Sequence, residues 1–187
     1  MMITTNQFKN GVALVMDGEL YTIVEFQHVK PGKGSAFVRT KLRNVRLGTI
    51  LARTFDAGDK FEEAFIEPKT LQYSYRTGDT YHFMDLSTYE EAVFRAEALG
   101  SAVHYLIENL EVTGDFHKGR LVGLELPTTV ELKVAQADPG LRGDTSKGGT
   151  KPATLETGFV VQVPLFVGPG ETIKVDTRTG DYVGRAG

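Results

Sequence analysis

No cysteine occurs in the chain, which excludes a disulfide framework, a thiol nucleophile and a thiolate metal site. A reducing compartment fits that composition. No apolar run reaches the roughly 18 residues that a membrane-spanning helix needs. The opening "MMITTNQFKNG" has no basic segment leading into an apolar core of the kind a secretory signal carries. A cytoplasmic protein without a membrane partner is the expectation. The four histidines, His28, His82, His104 and His117, are scattered without metal-ligand spacing, so neither a metal nor a cofactor is expected. The sequence also lacks a phosphate-binding GxxxxGK[ST] loop, a dinucleotide GxGxxG element and a nucleophile elbow. The adjacent carboxylates Glu62–Glu63 and Glu90–Glu91 are most simply solvated pairs. With no acid and base assembled around a substrate, the pattern favours a binding or positioning protein over an enzyme.

One further absence is local. Between Glu25 and Asp56 there is no acidic residue, whereas Lys30, Lys33, Arg39, Lys41, Arg43, Arg46 and Arg53 all fall there. Residues 65–127 are the reverse, with 5 basic residues against 10 acidic ones. A net charge of −3 therefore conceals a polarised chain. Such asymmetry is a composition-level sign of an acidic partner, commonly a nucleic-acid backbone.

What is present is glycine and alternation. The 21 glycines among 187 residues, spaced between short alternating apolar runs, predict many short strands and tight turns. At about 100 to 200 residues per domain the length allows one or two domains, or three small ones. "VALVMDGELYTIVEF" reads as two strands about Asp17-Gly18, a dipeptide suited to a two-residue hairpin. "AFVRTKLRNV" and "TILARTF" follow, joined across Arg46-Leu47-Gly48. In the first of these Arg39, Lys41 and Arg43 lie at spacing two and share a face, opposite Val38 and Leu42. That face is either a polyanion surface or the ordinary solvated side of a half-exposed strand.

Further on, "LQYSYRTGDTYHFM" predicts a hairpin with "RTGD" at its turn and aromatics alternating on both arms. "STYEE" has a capping-box pattern from Ser87 to Glu90, which predicts a helical turn. "RAEALGSAVHYLIENLE" is apolar at helical spacing, weakened by Gly100, and "RLVGLELP" returns to strand. In the last part "TVELKV" and "GFVVQVPLFV" read as strands, and "ETIKVDTRTGDYVGR" as a hairpin about Thr179-Gly180. Between them residues 138–153, "DPGLRGDTSKGGTKPA", predict a long loop carrying Arg142, Lys147 and Lys151; loops of that length are commonly functional or mobile.

One stretch is unusual for a turn. "HVKPGKGSAF" holds Lys33 between Gly32 and Gly34 just after Pro31, amid strands, although a turn needs glycine or proline and not a lysine at its tip. Together with "KPATLETGFVVQVPLFVGPG" (residues 151–170), it makes the chain resemble the bacterial elongation factor P family along its whole length. "PGKGSAF" matches that family's modified-residue loop with Lys33 at the tip. Lys151, Ala153, Gly158, Val161, Val163-Pro164, Val167 and Gly170 match its C-terminal signature.

The resemblance implies a mainly all-β fold of three small β-barrel domains in an L-shaped arrangement similar to transfer RNA. These would be an SH3-like, KOW-type domain over residues 1–64, then OB-type domains over 65–127 and 128–187. It implies a monomer that binds the ribosome between the peptidyl and exit tRNA sites, contacting both subunits and their rRNA. There it would stabilise peptidyl-tRNA and promote bond formation at consecutive prolines. Lys33 would be the functional tip, supported by Pro31, Gly32 and Gly34, and the target of a lysine-modifying enzyme. Lys30, Arg39, Lys41, Arg43, Arg46 and Arg53 become candidate RNA contacts. In the third domain Gly143, Asp144 and Thr145 would approach messenger RNA near the exit site, with Arg142, Lys147 and Lys151 as phosphate contacts. Two alternatives stay open at this level. One is a paralogue with a different stalling specificity. The other is an OB-type binder of single-stranded nucleic acid, stacking bases on Tyr73, Tyr75, Tyr81 and Phe83.

Overall fold

The computed structural model describes residues 1–139 and 149–187. Strand accounts for 57% and helix for 7% of the structure, so the all-β expectation holds. The first sheet contains β1 (Met2–Thr4), β2 (Ala13–Met16), β3 (Glu19–Val29), β4 (Phe37–Asn44), β5 (Ile50–Asp56) and β6 (Lys60–Ala64), in the order β1-β6-β2-β3-β4-β5. The second contains β7 (Glu67–Thr77), β8 (Thr80–Asp85), β9 (Glu91–Arg95), β10 (Glu111–His117) and β11 (Arg120–Glu125), ordered β11-β10-β7-β8-β9. The third contains β12 (Thr129–Ala137), β13 (Thr150–Leu155), β14 (Val160–Pro164), β15 (Thr172–Asp176) and β16 (Tyr182–Arg185), ordered β14-β13-β12-β15-β16. The sheets curl into half-barrels. By compactness the chain forms two units, Met1–Lys69 with Gly114–Leu124, and Thr70–Thr113 with Glu125–Gly187.

In the first unit the Asp17-Gly18 turn forms as expected: both residues have positive φ, 54° and 77°, and Met16 pairs with Glu19 across it. That backbone matches the twist of the flanking strands. Period-two alternation then sends Ile23, Val38, Leu42 and Phe55 inward with Ile3, Phe8 and Leu14. The rings of Phe8, Phe55 and Phe61 pack edge-on or tilted at 4.7–6.3 Å. β11 approaches Val45 so closely that a Cβ on buried Gly123 would stand 2.5 Å from the Val45 carbonyl oxygen.

In the second unit Val130, Leu132 and Val134 of β12 meet Ala153, Leu155, Val161, Val163, Ile173 and Val175 in one core. Tyr105 joins that core from outside the third sheet. The hairpin from β15 to β16 turns at Gly180, as predicted, and is tied by Asp176. Its carboxylate accepts from Arg178 Nη2 at 2.9 Å, Nε at 3.2 Å and the Arg178 backbone N–H at 2.8 Å.

Three expectations need correction, and β10 is a strand that the sequence reading omits. "STYEE" forms no helix. The Asp85 carboxylate accepts from the Ser87 and Thr88 backbone N–H groups at 2.8 and 3.3 Å, and Asp85 N–H bonds Glu90 O at 2.9 Å, which closes a hairpin turn instead. The helix over "RAEALGSAVHYLIENLE" reduces to α1 (Ala96–Leu99), ended at Gly100 (φ 58°), and a 3₁₀ turn over Gly100–His104. Burial of Tyr105 and Leu106 outweighs the helical spacing there. β10 lacks a clear apolar alternation because Gly114 occupies an inward position between Val112 and Phe116. The expected loop over 138–153 is shorter, because Thr150–Ala153 belong to β13 and pair with β14.

Two measurements test these contacts. Gly123→Ala should lower stability by about 1–3 kcal/mol in urea unfolding, while Gly184→Ala, with open space around its Cβ, should stay within about 0.5 kcal/mol. Equal stability of the two variants would rule out the close approach of β11 to Val45. The Asp176 carboxyl is held down to about 2 from 3.8, first by the Arg178 guanidinium and then by the Arg178 backbone N–H. A depressed carboxyl stabilises the fold above its ordinary pKa and loses that contribution as pH falls through about 2. Its carbon-13 titration should therefore have its midpoint near 2, and Arg178→Ala should raise it; an unmoved midpoint would assign the effect to backbone donors alone.

Candidate nucleic-acid interface

The longest-registered ladder in the first sheet carries the loop with Lys33 at its tip. β3 and β4 pair from Tyr21↔Asn44 up to Val29↔Phe37, and residues 30–36 bridge the last rung. Within that loop Pro31, Gly32, Lys33, Gly34 and Ser35 are all exposed. Gly34 has φ 99°, and its nearest neighbour to an added Cβ is the Pro31 ring at 4.0 Å. Gly32 has ordinary φ and nothing within 4 Å. The two glycines thus differ: Gly34 is required by its dihedral, and Gly32 keeps the approach to the tip clear. Among the described residues Lys33 makes no ion pair, so its ammonium is fully available to a partner.

Below the loop the expected two-faced strand is present. Val38, Thr40, Leu42 and Asn44 are buried while Arg39 and Lys41 are exposed and Arg43 half-buried. The Thr40 hydroxyl donates to Arg53 O at 2.7 Å, so even the polar inward residue is satisfied. Arg39 lies over the Phe37 ring at 5.5 Å, an attractive cation–π arrangement at the loop base.

The charge pattern is less stark in three dimensions than along the chain. Lys41 pairs with Glu25 at 3.4 Å, Arg46 with Glu19 at 2.9 Å, and Arg53 reaches Asp17 at 4.0 Å. Those acids come from β3 and the turn before it, just outside the acid-free run. Hydrogen bonds from Arg46 and then Asn44 hold the Glu19 carboxyl below its ordinary range. Exposed pairs of this kind are weak and screened by solvent, so a phosphate can displace the carboxylate at little cost. Lys30, Lys33 and Arg39 have no carboxylate partner among the described residues. The cations left unmatched therefore gather at the loop and its stem. The acids Asp17, Glu19 and Glu25 were missed as partners, since only strand register reveals them.

The third-domain candidates fare differently. Arg142, Gly143, Asp144, Thr145 and Lys147 lie outside the described residues. Lys151 corrects the expectation: it is 9% exposed, and its ammonium donates to Asp138 O at 2.6 Å. Alternation along β13 turns it inward with Ala153 and Leu155, so it ties the strand to the end of β12 and is not presented to a phosphate.

Replacing the loop glycines separates their roles. Gly34→Ala should cost about 1 kcal/mol in thermal or urea unfolding because a side chain strains the positive φ. Gly32→Ala should be neutral in stability. The reverse order would contradict the loop geometry.

Three family models match the chain in succession. They are the elongation factor P KOW-like domain over residues 4–61, the elongation factor P OB domain over 66–124 and the elongation factor P C-terminal model over 130–185. The elongation factor P of Moorella thermoacetica is 52% identical over 185 residues, covering 99% of this chain and 100% of that protein. That of Acidothermus cellulolyticus is 54% identical over 185 residues, covering 99% of each. Among solved structures, a eukaryotic translation initiation factor 5A from Methanococcus jannaschii aligns with a TM-score of 0.48 and 23% identity, over 68% of this chain and 92% of that one; this likeness is too slight to argue from. With these models side by side along it, and relatives more than half identical from end to end, the chain belongs to the elongation factor P family of translation elongation factors.

Proposed function

We propose that this protein binds the ribosome between the peptidyl and exit tRNA sites and promotes bond formation between consecutive prolines. The observation that carries the reading is the exposed, carboxylate-free Lys33 at the tip of a glycine-flanked loop, projected by a long two-stranded ladder. A four-carbon stem ending in an ammonium can extend through a narrow RNA-lined passage to phosphates of the peptidyl-tRNA. The unmatched Lys30 and Arg39 support the same surface from the stem. Lys41, Arg46 and Arg53 can exchange their carboxylates for phosphates as the RNA approaches.

Joining prolines is slow partly because the ring restricts backbone geometry and the attacking amine is secondary. A factor that holds peptidyl-tRNA in a productive pose lowers that barrier through orientation, without donating a catalytic group. This assigns the chemistry to the ribosome and a positioning role to the protein, acting as a cytoplasmic monomer. The domain division at 1–64, 65–127 and 128–187 belongs to the same proposal and is supported by the three sheets and the three consecutive family matches. So do an approach of residues 142–147 to messenger RNA and a partner enzyme that modifies Lys33.

The single-strand binding alternative is weakened by burial. Tyr73, Tyr81 and Phe83 are 7%, 5% and 1% exposed and pack on one another, leaving only Tyr75 of the four rings open.

The test is a reconstituted translation of a template encoding a proline run. Lys33→Ala should unfold within about 0.5 kcal/mol of the parent, as expected for an exposed loop tip, yet lose most of the rescue. Full rescue by a folded Lys33→Ala protein would sink the tip's role. Mass spectrometry of the Lys33 peptide from native cells would show whether an adduct extends the side chain.

A further inference from the structure

The turn between β10 and β11 carries cations that the Lys33 loop does not account for. Residues 65–127 hold only 5 basic residues, and two of them, Lys118 and Arg120, flank Gly119 at this turn, with His117 just before. Lys118, Gly119 and Arg120 are all exposed. Among the described residues neither Lys118 nor Arg120 pairs with a carboxylate, and Asp115, the nearest acid in sequence, is not a free one. By compactness Gly114–Leu124 belongs with Met1–Lys69. That unit has 12 basic residues against 9 acidic ones, whereas the other has 9 against 15. The turn is thus a basic element of the basic unit, although its sequence neighbours are acidic.

The backbone gives a second reason to single out Lys118. Its φ is 51° and that of Gly119 is 77°, the two-residue hairpin geometry also found at Asp17-Gly18. Asparagine, aspartate or glycine suits the first position of such a turn, and a long side chain there is strained. The fold gains nothing from lysine at this place, and a strained residue is grounds for a role outside the fold. The turn is also ordered in advance. His117 Nδ1–H donates to Phe65 O at 3.1 Å, and further along the hairpin Gly123 packs against the Val45 carbonyl. An anchored hairpin loses little entropy when its tip meets a partner.

We propose that His117, Lys118 and Arg120 form a second contact for RNA, made to its backbone phosphates. Arg120 offers a planar fork of donors and Lys118 a point charge, the two ways in which cationic side chains hold phosphate oxygens. Phe116, the aromatic ring nearest in sequence, is buried, so the turn has no platform for a base and its contact positions the strand without reading it. The site rests on the RNA-binding reading of the first unit for the class of its partner, and adds a place of attachment separate from the Lys33 loop in sequence.

The test is a nitrogen-15 NMR titration of the full chain with a short RNA hairpin at low salt, followed by anisotropy measurements of affinity against salt. The amides of Lys118, Gly119 and Arg120 should shift and saturate. Lys118→Asn with Arg120→Gln should weaken binding about tenfold and lower the slope of log affinity against log salt by about two. Lys118→Asn alone should raise the urea midpoint, because asparagine accepts the positive φ, so lost binding cannot be put down to lost folding. Lys133→Gln with Lys174→Gln, the same charge change in the third sheet, should leave affinity unchanged, and Lys33→Ala should leave the turn's shifts in place. Turn amides that stay put overturn this site, and movement of Gly34 and Arg39 alone would do so while leaving the loop's role standing. The site also falls if the third-sheet pair weakens binding equally, or if heparin moves the turn amides as strongly as RNA does.

Discussion

The arrangement rests on one constraint: each strand turns a single face to a small core, and strand register decides which residues that face receives. A shift of one position exchanges the two faces completely. Two β-bulges apply that shift where it matters most. In β3 the register slips between Ile23 and Glu25. Ile23 is buried opposite Leu42, yet Glu25, two residues on, stands outside against Lys41. Without the extra residue Glu25 would follow Ile23 into the apolar core. The bulge thus lets one strand line the core at its start and balance a basic face further along.

The second bulge, between Tyr73 and Tyr75, does the same for β7. Tyr73 is buried against Tyr81 and Phe83, while Tyr75 emerges beside His82. Strict alternation would have placed both tyrosines on one side. An extra residue in one strand also increases the local twist. These two positions convert uniform strands into a charge-balanced stem in one case and a displayed ring in the other.

Much of the rest was legible from residues alone, and the reasons are local. Asp17-Gly18 could be read because a two-residue hairpin restricts which residues accept positive φ at both positions. The faces of β4 could be read because its alternation is uninterrupted. The exposed tip at Lys33 could be read because glycine on each side excludes packing. What escaped depends on partners distant in sequence. "STYEE" has the residues of a helix cap, but the Asp85 carboxylate captures the Ser87 N–H and the Thr88 hydroxyl the Glu90 N–H, closing a hairpin. The apolar spacing after Arg95 is helical, but Tyr105 is drawn into the core of another sheet. Lys151 looked like a loop cation, and only the pairing of β13 with β14 shows that it faces inward. Neither bulge leaves a composition signal, so the pairing of Glu25 with Lys41 was invisible as well.

The two lysines most prominent in the sequence show how far the same side chain can be turned to opposite ends. Lys151 spends its charge on a backbone carbonyl at 2.6 Å inside the fold, where burial makes that bond strong and leaves nothing for a partner. Lys33 has no acceptor among the described residues, which leaves its whole ammonium open. Lys41, Arg46 and Arg53 are compensated by carboxylates that a polyanion can displace, whereas Lys30 and Arg39 at the stem are not. In the proposed function, specificity therefore comes from the tip. Its reach is set by the β3–β4 ladder, its freedom by Gly32 and Gly34, and its charge by the absence of any acid from residue 26 to residue 55.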